Sequence, residues 1–274
     1  MKNILVPTDF SNQAENALHV AAQLANKYDA EIYLLHLLEL PLQQVDAMST
    51  HSELPEAMFF MKLAHKRFTE VMSKDFLQGL IVHETVEFRQ SFNEIPAICE
   101  AKNIDLIVMG SHGVSGLKEI FIGSNTEKVV RNATVPVLVI KKPHDIFEVN
   151  DFVFASDFSQ DNKDTYKQAV KIATAFDARL HLVMINTANN FKTTTEADKC
   201  IEEFTKGTTY DNYEVTIYND VTVELGIMNF SASINADLIG ISTHGRQGIA
   251  HFFNGSISED LVNHAKRPVI TFKI

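Results

Sequence analysis

The chain has 274 residues, 45% of them hydrophobic and 22% charged, and its 24 Lys and Arg against 35 Asp and Glu give a formal net charge of −11. That length and balance suit about two globular domains with separate cores and exclude a disordered tail protein. A surface this acidic repels phosphate backbones, which argues against general nucleic-acid binding and against docking on anionic membranes.

Taken in chain order, residues 3–7 read as a short apolar strand, and Ser11 as the N-cap of a helix. That helix places Ala14, Ala17, Leu18, Ala21, Ala22, Leu24 and Ala25 on one side at the 3.6-residue period. Glu31–Leu38 reads as a strand, about 55–77 as a helix, 82–88 as a strand and 93–102 as a helix. Residues 104–109 are almost wholly apolar, the mark of a strand covered on both faces. A glycine-rich connection then leads to a helix over 124–131 and a last strand over 135–140. Met48, Met58, Met61, Met72, Phe59, Phe60, Phe68 and Phe76 crowd the segment 41–79. They read as a helix packing on the sheet, with a partner surface as the alternative.

The chain repeats itself. Residues 105–141 align with 237–273 without a gap at an offset of 132, with 15 of the 37 positions identical. KNILVPTDFS at 2–11 matches NDFVFASDFS at 150–159 at an offset of 148, so the second copy is 16 residues shorter in its middle. Two domains are expected, 1–142 and 150–274, with the boundary near Pro143. In the second copy the elements fall at 151–156, 160–176, 179–186, 213–218, 222–235, 237–241, 256–265 and 268–273. Alternating β and α units with buried strands imply an α/β fold: two tandem doubly wound five-stranded parallel-sheet domains, with right-handed crossovers and ligands at the carboxyl ends of the strands. The two cysteines, Cys99 and Cys200, lie in different copies without CxxC spacing, and read as buried or half-buried helix thiols and not as a disulfide or zinc site. The opening apolar run is too short for a signal peptide, and no stretch reaches the ~18 apolar residues of a membrane span, so a reducing, cytoplasmic setting is expected.

Chemistry is expected at the strand ends of the first copy. Asp9 ends the first strand, Gly110, Gly113 and Gly116 follow the buried strand 104–109, and Gly123 with Ser124 opens the next helix. Glycines let the backbone approach a ligand and leave N–H groups free to point at it, and a helix N-terminus adds orphan donors and partial positive charge. Ser124, Asn125 and Thr126 can add hydrogen bonds. The plainer alternative is a turn with Ser124 as N-cap. His112 and His244 recur at matching positions but have neither an HxxxH nor an HxH companion, so they read as structural or ligand-edge residues. Glu119 is ambiguous, and Glu127 most simply favours the first turn of its helix.

Gly110-x-x-Gly113, nine residues, then Gly123-Ser124 resembles the G-x2-G-x9-G-[S/T] signature of the universal stress protein family, and Asp9 within ILVPTDFS resembles its other recurrent feature. The resemblance covers nearly the whole chain, twice, and implies an adenine nucleotide alpha hydrolase-like fold, a stress-response role and ATP or another adenine nucleotide as ligand, with Mg2+ on its phosphates. It implies that Pro7, Thr8 and Asp9 border the adenosine, that Leu37 lines the adenine pocket, and that Met109, Gly110 and Gly113 lie along ribose and phosphates. Gly123, Ser124, Asn125 and Thr126 would then hold the phosphates. The second copy keeps Asp157, Gly245, Gly248, Gly255 and Ser256, but Ser242 replaces the first motif glycine and Ala155 and Ser156 replace Pro7 and Thr8. If position 242 needs positive φ or close ligand contact its Cβ is a penalty; if not, that site survives. Arg246 reads as a solvated loop charge or a phosphate clamp. Single-domain members of the family pair through the last strand, so the two copies are expected to pack as an internal pseudo-dimer through 135–140 and 269–273; a homodimer of the whole chain is a further possibility. A slow ATPase or nucleotidyl-transfer enzyme is the alternative function, without a GxxxxGK[ST], HIGH-type or SGGxDS-type sequence to support it. An interaction protein with vestigial sites is a third.

Overall fold

The structure, a computed structural model, describes residues 1–38, 54–88, 94–111, 124–243, 261–262 and 264–274. In the first half these form β1 (Asn3–Pro7), α1 (Asn12–Tyr28), β2 (Glu31–Leu38), α2 (Leu54–Met72), β3 (Val82–Phe88), α3 (Ile95–Ala101), β4 (Leu106–Gly110), α4 (Ser124–Asn132) and β5 (Val137–Ile140). The second half follows with β6 (Asp151–Ala155), α5 (Lys163–Phe176), β7 (Arg179–Asn186), α6 (Thr194–Thr205), β8 (Tyr213–Asn219), α7 (Val223–Ser233), β9 (Leu238–Thr243) and β10 (Val269–Lys273).

The ten strands form one sheet in the order β3-β2-β1-β4-β5-β10-β9-β6-β7-β8. Within each half the neighbours are parallel, as crossover helices require. The halves meet where β10 runs antiparallel to β5, with Val269 opposite Val139 and Thr271 opposite Val137. The pairing leaves neither last strand as an open edge. Because strand side chains alternate, each face builds its own core. Ile4, Val6, Ile32, Leu34, Leu138, Phe152 and Ile270 join α1, α2, α5 and α6 on one face. Leu5, Leu35, Ile107, Val139, Val153 and Val269 join α3, α4 and α7 on the other.

The sequence expectations differ from the structure at two helices. The helix expected over 55–77 ends at Met72, and a separate 3-10 turn spans Asp75–Leu77. Ser73 turns its hydroxyl onto the Glu70 carbonyl at 2.7 Å, and Lys74 takes extended backbone, which stops the helix. Helix α6 was not expected at all. Thr193 begins it with a capping box, accepting from the Glu196 N–H while Glu196 reaches back to the Thr193 N–H. Within the described part of that segment α2 shows two faces: Ala64 and Phe68 are buried, and Met58, Phe59 and Leu63 are exposed. Met48 lies outside the described residues. No described helix is long and apolar enough to cross a membrane.

Candidate functional site

The strand order within the first half reverses at β1, whose neighbours β2 and β4 lead the chain away in opposite directions. At the carboxyl ends of those three strands lies a cleft of about 270 Å³. Its lining is Pro7, Thr8, Asp9, Ser11, Gln13, Ala14, Leu35, His36, Leu37, Met109, Gly110, Asn125 and Thr126. Crevices at such a reversal are where open α/β sheets hold ligands.

The turn between β1 and α1 shapes one wall. Phe10 sits in left-handed backbone at φ 62°, Thr8 Oγ1 accepts the Phe10 N–H at 3.0 Å, and Asp9 Oδ1 accepts the Ser11 N–H at 2.9 Å. Ser11 then caps α1 by accepting the Ala14 N–H. Phe10 packs against His36 and Phe68, with ring centres 4.6 and 5.1 Å away. His36 donates from Nδ1 to the Thr8 carbonyl at 2.8 Å, and the Thr8 N–H bonds the Leu35 carbonyl, so β2 and the turn are tied together. Asp9 remains exposed at the rim. On the opposite wall Thr126 donates to the Gly110 carbonyl at 3.0 Å, fastening the first turn of α4 to the end of β4. Two helix N-termini, those of α1 and α4, thus border one cleft, a setting that favours an anionic ligand.

Gly110 is in strand, not in left-handed backbone. What excludes a side chain there is α1: a Cβ at 110 would stand 2.3 Å from the Gln13 carbonyl oxygen.

The second half repeats the turn beside a smaller space. Phe158 has φ 57°, Ser156 Oγ accepts the Phe158 N–H at 3.0 Å, and Asp157 Oδ1 accepts the Ser159 N–H at 2.9 Å. Asp157 Oδ1 also accepts from the Asn162 amide at 2.7 Å. The space beside Ala155, Ser156, Asp157, Met184, Ile185, Asn190, Lys192 and Val223 is about 10 Å³, room for about one water molecule. Asn186 draws the following loop back over the strand end, exchanging hydrogen bonds with the Lys192 backbone at 2.9 and 3.0 Å. Ser242 is tolerated for a local reason. Here the chain makes a 3-10 turn at Gln160–Asn162 before α5 begins at Lys163, and the buried Ser242 hydroxyl meets the Thr165 hydroxyl at 2.7 Å.

Of the residues expected at the first site, Pro7, Thr8, Asp9, Leu37, Met109, Gly110, Asn125 and Thr126 meet around the cleft. Ser124 begins α4. Gly113, Gly116, Gly123, His112 and Glu119 lie outside the described residues, as do Gly245, Gly248, Gly255, Ser256, His244 and Arg246 of the second half. Sequence reasoning missed His36, Gln13 and Leu35 as cleft residues; a lone histidine in the apolar run LLHLL was the available signal. Glu127 pairs with Arg131 one helical turn on, at 2.7 Å. Neither cysteine lines the cleft, and burial pushes the Cys99 thiol up to about 11.

Comparison with known proteins gives a consistent picture. The universal stress protein family matches the chain twice, over residues 1–141 and 149–273. Universal stress protein Slr1230 of Synechocystis is 23% identical across the full length of both chains. Universal stress protein MJ0577 of Methanocaldococcus jannaschii is 37% identical over 52% of this chain and 95% of its own. Among solved structures, a universal stress protein from Archaeoglobus fulgidus superposes with a TM-score of 0.75 at 24% identity, over 99% of this chain and 98% of that one. With both halves matched and the fold shared end to end, the chain belongs to the universal stress protein family, as a member with two such domains in tandem.

Proposed function

We propose that the first-half cleft binds an adenine nucleotide, ATP foremost, and that the protein is a cytoplasmic regulatory module whose conformation or partners follow the bound nucleotide. The observation that carries this reading is the meeting of Pro7–Asp9, Leu37, Met109–Gly110 and Asn125–Thr126 around one cleft, although the chain separates them by more than a hundred residues. In this reading Asp9 faces the base or ribose and Leu37 lines the adenine. Met109, Gly110 and Gly113 run along ribose and phosphates, and Gly123, Ser124, Asn125 and Thr126 hold the phosphates. Mg2+ would be carried mainly on phosphate oxygens. The small space beside Asp157 favours the first-half cleft as the main nucleotide site, with Asp157, Gly245, Gly255 and Ser256 as the candidates of a second one.

The test is titration calorimetry of the full chain with ATP and Mg2+, alongside mass spectrometry of any ligand released on denaturation. A universal stress protein solved in complex with cAMP makes cAMP the second nucleotide to titrate. Saturable binding near one ATP per chain is expected. No heat, no released nucleotide and no thermal shift would leave an interaction protein with vestigial sites. Phosphate release well above ~1 per second, in the enzyme range, would replace the binding-module reading with an ATPase.

A further inference from the structure

Helix α4 touches two things at once. Its first turn lines the cleft through Asn125 and Thr126. Its last turn is held from the other half, where the Lys273 ammonium at the end of β10 donates to the Arg131 carbonyl at 2.8 Å. The contact has a counterpart offset by one residue. Lys141, the residue after β5 and the counterpart of Lys273 at the repeat offset of 132, donates to the carbonyl of Val262, in the helical residues 261–262 of the second half. Val262 is itself the counterpart of Val130 in α4. Lys273 ends β10 and Lys141 follows β5, so the sheet junction links the last turn of α4 to residues 261–262 of the second half.

A cation on the orphan carbonyls of a helix C-terminus stabilises that helix. An anion at its N-terminus stabilises the same helix from the other end. Two favourable groups on one short helix of nine residues are coupled when each favours the same ordered position. Resting on the nucleotide reading above, we infer that Lys273 and Lys141 form a reciprocal inter-domain clamp, through which occupancy of the first-half cleft by a nucleotide is felt at residues 261–274 of the second half. By linkage, the second half in turn sets the affinity of the first-half cleft.

The full chain is titrated with ATP as wild type, Lys273→Met and Lys273→Arg, and amide hydrogen exchange over 261–274 is followed with and without ATP. Thermal unfolding confirms that each variant is folded. The clamp predicts affinity about two- to fivefold weaker in Lys273→Met, the size of one charge at a helix end, with recovery in Lys273→Arg, which restores a donor. It also predicts that ATP slows exchange over 261–274 in the wild type and not in Lys273→Met. Equal affinity in all three proteins, with slowed exchange confined to 1–141, would overturn the clamp and leave nucleotide binding standing. Absence of ATP binding by the wild type would remove the nucleotide reading and the clamp with it.

Discussion

Gly110 and Ser242 hold the same place in the repeat, 132 residues apart, yet only one of them has room for a Cβ. The obstacle at 110 is backbone, the Gln13 carbonyl at 2.3 Å from an ideal Cβ, which cannot swing aside as a side chain would. Gly110→Ala should therefore lower stability by about 1–3 kcal/mol, the usual cost of overpacking, and displace α1 from the cleft. Chemical denaturation measures it, and an unchanged midpoint would contradict the steric account. Ser242→Gly is expected to cost about 1 kcal/mol through the lost hydrogen bond to Thr165. The glycine was visible in the sequence as part of a spaced motif, and its neighbour was not. A motif read along the chain points toward a ligand, whereas the close approach of Gln13 exists only once α1 has packed on β4. Thr8 and Asp9 carry the same lesson. Their oxygens accept N–H groups two residues on, and Ser156 and Asp157 repeat this in the second half. Recurrence in both halves thus reflects a turn that the fold needs, and the role proposed for Asp9 rests on its exposed position beside the first-half cleft.

Helices and strands were legible wherever the local signal agreed with the packing. The alanine-lined face of α1 is buried as the 3.6-residue period requires, and Ser11 caps it. The strand pattern fixed which residues line which face of the sheet, because period-two alternation leaves no second choice. Two helices were harder. The break after Met72 comes from a single serine hydroxyl competing for a backbone carbonyl, a contact that composition does not announce. Helix α6 did carry its signal, Thr193 three residues before Glu196, but its charged and polar residues hide the two that matter, Ala197 and Phe204, which are buried. Thr193→Ala removes the cap and is expected to cost about 1 kcal/mol, within the range for such replacements. Loss of helical signal and a lower denaturation midpoint would follow; no change would mean that packing of Phe204 alone holds the helix.

Across the whole molecule the repeat becomes a sheet of ten strands whose centre is the antiparallel β5–β10 contact. The two parallel halves were readable from alternating elements, while their union through the last strands was implied by the family resemblance, the exposed edge of a lone last strand agreeing with it. The lysines that flank the union were not readable, since a lysine after an apolar strand is ordinary until its partner is known. Burial lowers Lys141 to about 8, against 10.5 for an unperturbed lysine. Between those values the unfolded chain binds more protons than the folded one, so stability rises as pH increases from about 8, and the penalty for a buried charge is complete below 8. Wild type should gain stability over Lys141→Met between pH 8 and 9.5 in parallel denaturation curves; a constant difference would show that the amine is solvated. The central claim, that the first-half cleft is built for an adenine nucleotide, is tested most directly by a crystal structure of the full chain grown with ATP and Mg2+. The account predicts density for one nucleotide per chain, running from Asp9 and Leu37 past Gly110 to the first turn of α4. Density in the second half instead, or a first-half cleft left filled by the protein's own side chains at saturating ATP, would contradict it.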